Sequence, residues 1–94
     1  MKKHHVVNFG EKQISVKVDY GYIMHEIELA GNFLVKPKNG IHKIHESLLE
    51  MHSAESVEDI AARIRKAMIK HKLQLVGVTP EELAHAIKQT LVLA

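Results

Sequence analysis

Apolar residues in this chain change their spacing once, and that change sets the fold class. From Ile14 to Leu29 they fall at every second position, and from Ile41 onward they recur at every third or fourth. A period of two places successive side chains on opposite faces of a strand, whereas a period near 3.6 lays them along one stripe of a helix. A chain that does the first and then the second is expected to be α+β, a three-stranded antiparallel sheet in the N-terminal part packed against about three helices.

The strands follow from the alternation. Val6-Val7-Asn8-Phe9 runs into the turn pair Gly10-Glu11, after which Ile14, Val16, Val18 and Tyr20 alternate with Ser15, Lys17 and Asp19. Gly21 marks a second tight turn. Beyond it Ile23, His25, Ile27 and Leu29 alternate with Met24, Glu26, Glu28 and Ala30, so the third strand is expected to turn His25 toward its apolar side. The meander covers about residues 3–30. Its apolar face needs a cover that three strands cannot provide alone.

Helices are expected at about residues 40–52, 56–72 and 79–92, the last reaching the C-terminus. In the first, Ile41, Ile44, Leu48 and Leu49 form the apolar stripe. The second opens on Ser56 as N-cap with Glu58 and Asp59 in its first turn, and carries Val57, Ile60, Ala61, Ile64 and Met68 as its stripe. Thr79-Pro80-Glu81-Glu82 combines an N-cap threonine, a proline at the first helical position and a glutamate at the third, which is a capping box. Leu73 to Val78 reads as an extended, packed connection. No linker or repeat interrupts the chain, so residues 1–94 form one domain.

Size and composition bound what such a domain can do. A chain of 94 residues buries roughly 60 to 65% of the surface of its unfolded form and supports a single core. The aromatics are Phe9, Tyr20, Tyr22 and Phe33, so that core is aliphatic. A formal charge of +2 is too small to mark a nucleic-acid or membrane specialist. No segment approaches the roughly 20 apolar residues of a membrane helix, and a cytoplasmic location is expected. Cysteine is absent, which removes disulfides, thiolate-bound zinc, iron–sulfur clusters and persulfide chemistry together.

Catalytic motifs are missing as well. The glycines at 10, 21, 31, 40 and 77 are scattered and form no phosphate loop, and no serine sits in a nucleophile-elbow sequence. No catalytic residue is assigned to this chain. His42 and His45 lie three apart on the first helix and could meet on an ion with Glu46 or His52, yet no second ligand group stands at motif spacing, and solvated or capping histidines are the commoner outcome. His25 is read as a buried, hydrogen-bonded or strand-edge histidine before it is read as a residue facing a partner's site. Arg63, Lys66 and Lys70, with Arg65 and Lys72 beside them, make a basic face on the second helix. Most such runs are solvated, and without stacking aromatics nucleic acid is disfavoured.

From Ile14 onward the order of segments resembles a known family, the C-terminal accessory domain of lipoate–protein ligase. The resemblance rests on the strand pair Ile14 to Leu29, on Gly31-Asn32-Phe33-Leu34, on the apolar helix ending near Leu49, and on Leu75-Val76-Gly77-Val78-Thr79-Pro80-Glu81-Glu82-Leu83. In that family the segment after the third strand commonly reads Gly-Asp-Phe-Phe. Gly31 and Phe33 match, while Asn32 lacks the carboxylate and Leu34 the aromatic ring.

The resemblance implies a function carried out with a partner. That family activates lipoate with Mg-ATP to lipoyl-adenylate and transfers the lipoyl group to a lysine of a carrier protein such as a lipoyl domain. The ATP, magnesium and lipoate sites lie in a large catalytic domain that this chain lacks, and some organisms, archaea among them, encode the two parts separately. A chain starting at its own Met1 looks like the small part: an accessory subunit in a heterodimer with the large catalytic subunit, meeting the carrier only indirectly and binding no cofactor alone. Gly31, Asn32, Phe33 and Leu34, and then Arg63, Lys66 and Lys70, are the candidates for the contact that completes the partner's site. The alternatives are a small interaction or dimerisation module without a ligase role, a sulfur-transfer or iron–sulfur scaffold of similar fold, which the lack of cysteine opposes, and a stand-alone enzyme.

Overall fold

The computed structural model of the chain describes residues 1–92. Three strands, β1 (Lys2–Phe9), β2 (Lys12–Tyr20) and β3 (Met24–Gly31), form an antiparallel sheet in the order β1-β2-β3. A short strand β4 (Leu34–Lys36) and a 3₁₀ turn (Lys38–Gly40) lead into helix α1 (Ile41–Leu48); α2 (Val57–His71), β5 (Gln74–Val76) and α3 (Pro80–Val92) follow. The α+β expectation is met. That the last helix reaches the chain end concerns residues 93 and 94, which lie outside the described residues.

The first hairpin closes through Gly10 and Glu11. Gly10 takes a φ of 62°, the left-handed conformation that a two-residue loop needs for its strands to keep their twist. In β2, Ile14, Val16 and Val18 are buried as their period of two requires.

The third strand departs from simple alternation. Asp19 pairs with Glu26 but Tyr20 pairs with Met24, so His25 is an extra residue bulged out of the ladder. The bulge reverses the expected parity. Met24 is buried in the place assigned to its neighbours, and both Ile23 and His25 are exposed. A two-residue period cannot be carried across a bulge, and no local residue preference announces this one.

The helices cover the apolar face. α3 lies against β1 and β2, α1 against β3, and α2 packs on both helices. Ile44 and Leu48 of α1, Ile60 and Ile64 of α2, and Leu83 and Ile87 of α3 are fully buried together with Ile14 and Val16. Ala61, Ala67, Ala84 and Ala86 are buried as well, small side chains that let helices approach closely. Thr90 is the buried polar residue of the described core, and its hydroxyl donates to the Ala86 carbonyl at 2.9 Å.

The helix starts behave as their sequences predict. Ser56 Oγ accepts from the Asp59 N–H at 3.2 Å. Thr79 Oγ1 accepts from the Glu82 N–H at 3.1 Å, and Glu82 Oε1 accepts from the Thr79 N–H at 3.0 Å. α1 is shorter than expected because Glu50 adopts a φ of 65° and the chain turns back along the sheet. The Glu50 N–H donates to the Met24 carbonyl, the Met24 N–H to the Met51 carbonyl, and the Ser53 N–H to the Tyr22 carbonyl, at 2.8 to 2.9 Å. Met51 is thereby buried, and Leu49, expected on the apolar stripe, is partly exposed.

The connection after α2 is extended, as expected, but it is also paired. Leu34, Val35 and Lys36 stand opposite Val76, Leu75 and Gln74 in an antiparallel β4–β5 ribbon. No helix among the described residues is long and apolar enough to cross a membrane.

Candidate functional site

The segment Gly31-Asn32-Phe33-Leu34 links the sheet to β4, and its conformation is set by β2. Gly31 has a φ of 145°, and a Cβ at this position would lie 2.0 Å from the Gln13 carbonyl oxygen, so no side chain fits. Asn32 extends the ladder by one more pair. Its N–H donates to the Gln13 carbonyl at 3.1 Å, and its Oδ1 accepts from the Gln13 N–H at 2.9 Å. Both residues are therefore engaged in building the fold.

What the segment presents outward comes next in the chain. Phe33 is half-buried and packs against the edge of the core. Leu34 is 62% exposed and stands directly opposite the partly exposed Val76 across the β4–β5 ribbon. Gly77, at a φ of 93°, passes so close to Asn32 and Phe33 that a Cβ there would come within 3.0 Å of the Asn32 carbonyl oxygen. Leu34 and Val76 thus form a small exposed apolar pair, flanked in the chain by the half-buried Phe33 and by Gly77, which pass close to each other. Val76 is not visible as a member from its position in the sequence, 42 residues after Leu34; only the alternation in Leu73–Val78 hints at a strand.

The basic candidates are elsewhere. Arg63, Lys66 and Lys70 line a groove between α1 and α2 together with Lys43, Glu55 and Asp59, and no residue of 31–34 lines it. The two candidate sets form separate surfaces. Arg63 is committed within the fold: its Nε and one terminal nitrogen donate to the two carboxylate oxygens of Glu55, each at 2.6 Å. This fork holds the Glu55 carboxyl below the usual glutamate range and raises the Arg63 guanidinium further above its ordinary value. Arg65 pairs with Glu81 across α2 and α3, and Lys43 with Glu46 at 3.8 Å. Lys66 and Lys70 are exposed on the same face.

His45 does structural work. His45 Nε2 accepts the Leu29 N–H at 3.0 Å, and burial, followed by the neighbouring His42, pushes its pKa below the ordinary 6.5 against the opposing pull of Glu28. The His42 and His45 rings stand edge to face with centroids 6.2 Å apart. Among the described residues no three His, Asp or Glu side chains converge where a metal ion could be held.

No family model matches the chain, and no curated protein sequence does. Among solved structures it is similar to a chain from work on the archaeal lipoylation system of Thermoplasma acidophilum, described as a bi-partite lipoate protein ligase and its E2 lipoyl domain. The two chains are 24% identical, the match covers 93% of this chain and 94% of the other, and the TM-score is 0.71. At that identity the likeness is one of fold: over 93% of its length the chain shares the fold of a chain from that lipoylation system.

Proposed function

We propose that this chain is the accessory subunit of a bipartite lipoate–protein ligase and acts with a separate large catalytic subunit. The observation that carries the reading is the fold likeness to a chain of the Thermoplasma acidophilum lipoylation system, which agrees with the resemblance of Gly31–Leu34 and Leu75–Leu83 to the ligase accessory domain.

The reaction is assigned to the partner. ATP, magnesium and lipoate are assigned to the large subunit, as the resemblance to the ligase accessory domain implies. What this chain supplies is a small exposed apolar pair, Leu34 and Val76, flanked by the half-buried Phe33. Lipoyl-adenylate is a mixed anhydride that water destroys, and a docked domain that closes the site excludes water and orders the nucleotide-binding loops. Adenylation then depends on this chain more than transfer to the carrier lysine does.

Reconstitution tests the reading. The large subunit is given lipoate and Mg-ATP with and without this chain, and pyrophosphate release and carrier lipoylation are measured. Adenylation that rises only with this chain supports an accessory subunit; equal rates and no complex would leave an interaction module without a ligase role.

A further inference from the structure

The turn before α1 places a reactive pair of groups side by side. Asn8 and Asn32 each precede a phenylalanine and are held in the sheet, Asn8 by its place opposite Gln13 and Asn32 by a carboxamide that accepts the Gln13 N–H at 2.9 Å. Asn39 instead precedes Gly40. It is exposed, and its carboxamide has no hydrogen-bond partner among the described residues. A glycine carries no side chain to shield its backbone nitrogen from the residue before it.

Packing favours that glycine. Gly40 is buried, and a Cβ there would lie 2.6 Å from Leu73 Cδ2 and 3.0 Å from Val35 Cγ1, so any larger residue displaces one of them. The fold also restrains the nitrogen. The Gly40 N–H donates to the Pro37 carbonyl at 2.8 Å, and Gly40 has helical angles of φ −65° and ψ −22°, a conformation that holds the nitrogen away from the preceding side-chain carbonyl carbon. The turn is a 3₁₀ turn of three residues, Lys38–Gly40. Such turns have poorer hydrogen-bond geometry than an α-helix, and short exposed segments open locally without global unfolding.

We infer that Asn39 is a site of spontaneous deamidation, gated by opening of this turn, and that one of its two products unseats the start of α1. When the turn opens, the Gly40 nitrogen gives its proton to solvent and bonds to Cγ of Asn39. The Cγ–Nδ2 bond breaks, Nδ2 takes up a proton and leaves as ammonia, and a five-membered succinimide remains. Water then opens the ring at either carbonyl; no oxidant or reductant is consumed. Cleavage between Cγ and the Gly40 nitrogen gives aspartate with the main chain unchanged. Its carboxylate stands one residue before the N-cap of a helix whose first turn has no acidic residue, where the helix dipole favours it. Cleavage at the main-chain carbonyl gives isoaspartate, in which the backbone runs through Cβ and is one carbon longer before Gly40. That shift presses Gly40 on Leu73 and Val35, and Val35 is the central residue of β4, opposite Leu75 of β5. The step holds whatever partner the chain serves.

Ageing of the folded whole chain in mildly alkaline buffer tests it, with mass spectrometry of proteolytic fragments and labelling by a protein isoaspartate methyltransferase. Conversion of amide to acid is expected at Asn39 and not at Asn8 or Asn32. It should run slower than in a free peptide of residues 36–44 and speed up in urea below the unfolding transition. The isoaspartate form should melt at a lower temperature than the fresh protein, whereas freshly made Asn39→Asp should melt at or above it, and Asn39→Gln should age without conversion. A folded chain that keeps Asn39 intact while the peptide converts completely overturns the inference, as does an isoaspartate form that melts with the fresh protein. A folded rate equal to that of the peptide overturns the gate.

Discussion

His45 and Leu29 are joined by a hydrogen bond in which the imidazole Nε2 accepts the backbone N–H at 3.0 Å, tying α1 to the exposed edge of β3. The bond exists only while Nε2 carries a lone pair. Because burial and His42 lower the folded pKa below 6.5, this contribution is fully present above the unfolded value and is lost as pH falls below 6.5 and through the folded value. Urea midpoints should therefore decline on acidification, and His45→Gln, whose amide oxygen accepts at any pH, should flatten that decline between about pH 7 and about pH 5. Identical pH profiles for the two proteins would remove His45 from the account; the other histidines are common to both.

Arg63 and Lys66 look equivalent on the basic face, yet substitution should separate them. Arg63→Ala strands the Glu55 carboxylate and is expected to cost about 1 kcal/mol of stability by chemical denaturation. Lys66→Glu should stay within about 0.5 kcal/mol of the wild type. Only the second variant reports cleanly on partner binding. A stable Arg63→Ala protein would show that the Glu55 fork contributes nothing measurable.

Gly31→Ala forces a Cβ into the Gln13 carbonyl and is expected to cost about 3 kcal/mol or more. Asn32→Asp restores the residue common in the resembled family and keeps an acceptor for the Gln13 N–H, so its thermal midpoint should match the wild type. A large loss there would mean that the acceptor must be uncharged.

Leu34→Asp places a charge on a side chain that is 62% exposed and should leave folding intact. In calorimetric titration against the large subunit it is expected to weaken binding at least tenfold if the apolar surface is the contact, an effect of about 1.4 kcal/mol. Phe33→Ala removes half-buried area as well and should lower both stability and binding. Full affinity in Leu34→Asp would exclude the surface.

Thr79→Ala opens the capping box of α3 and should cost about 1 kcal/mol. The Thr79 N–H, followed by Lys12, holds the Glu82 carboxyl below its ordinary range, so this stabilisation is present at neutral pH and is lost as pH falls through the folded value. Acid titration of Glu82→Gln, followed by circular dichroism, should show a smaller loss of stability than the wild type.

Features that depend on neighbours in sequence were legible. Ser56, Thr79 and Glu82 cap the helices their motifs announce, and Ile14, Val16 and Val18 face inward as their spacing requires. What stayed hidden depends on residues far apart. The His25 bulge answers to the return of Glu50–Ser53 along the sheet, the Arg63–Glu55 fork spans a turn, and the apolar surface joins Leu34 to Val76. Arg63, Lys66 and Lys70 were read as one basic face, and the structure does line one groove with them, but one of the three is already spoken for.

The β4–β5 ribbon has a consequence for how the chain comes into being. Leu34 cannot find Val76 until both intervening helices have been synthesised, so the β4–β5 ribbon is completed only after α1 and α2 have emerged. A product stalled before β5 would carry a finished hairpin and an unpaired β4. If the partner docks on the ribbon surface, such a fragment would lack the docking face, and the order of synthesis would itself guard against premature assembly.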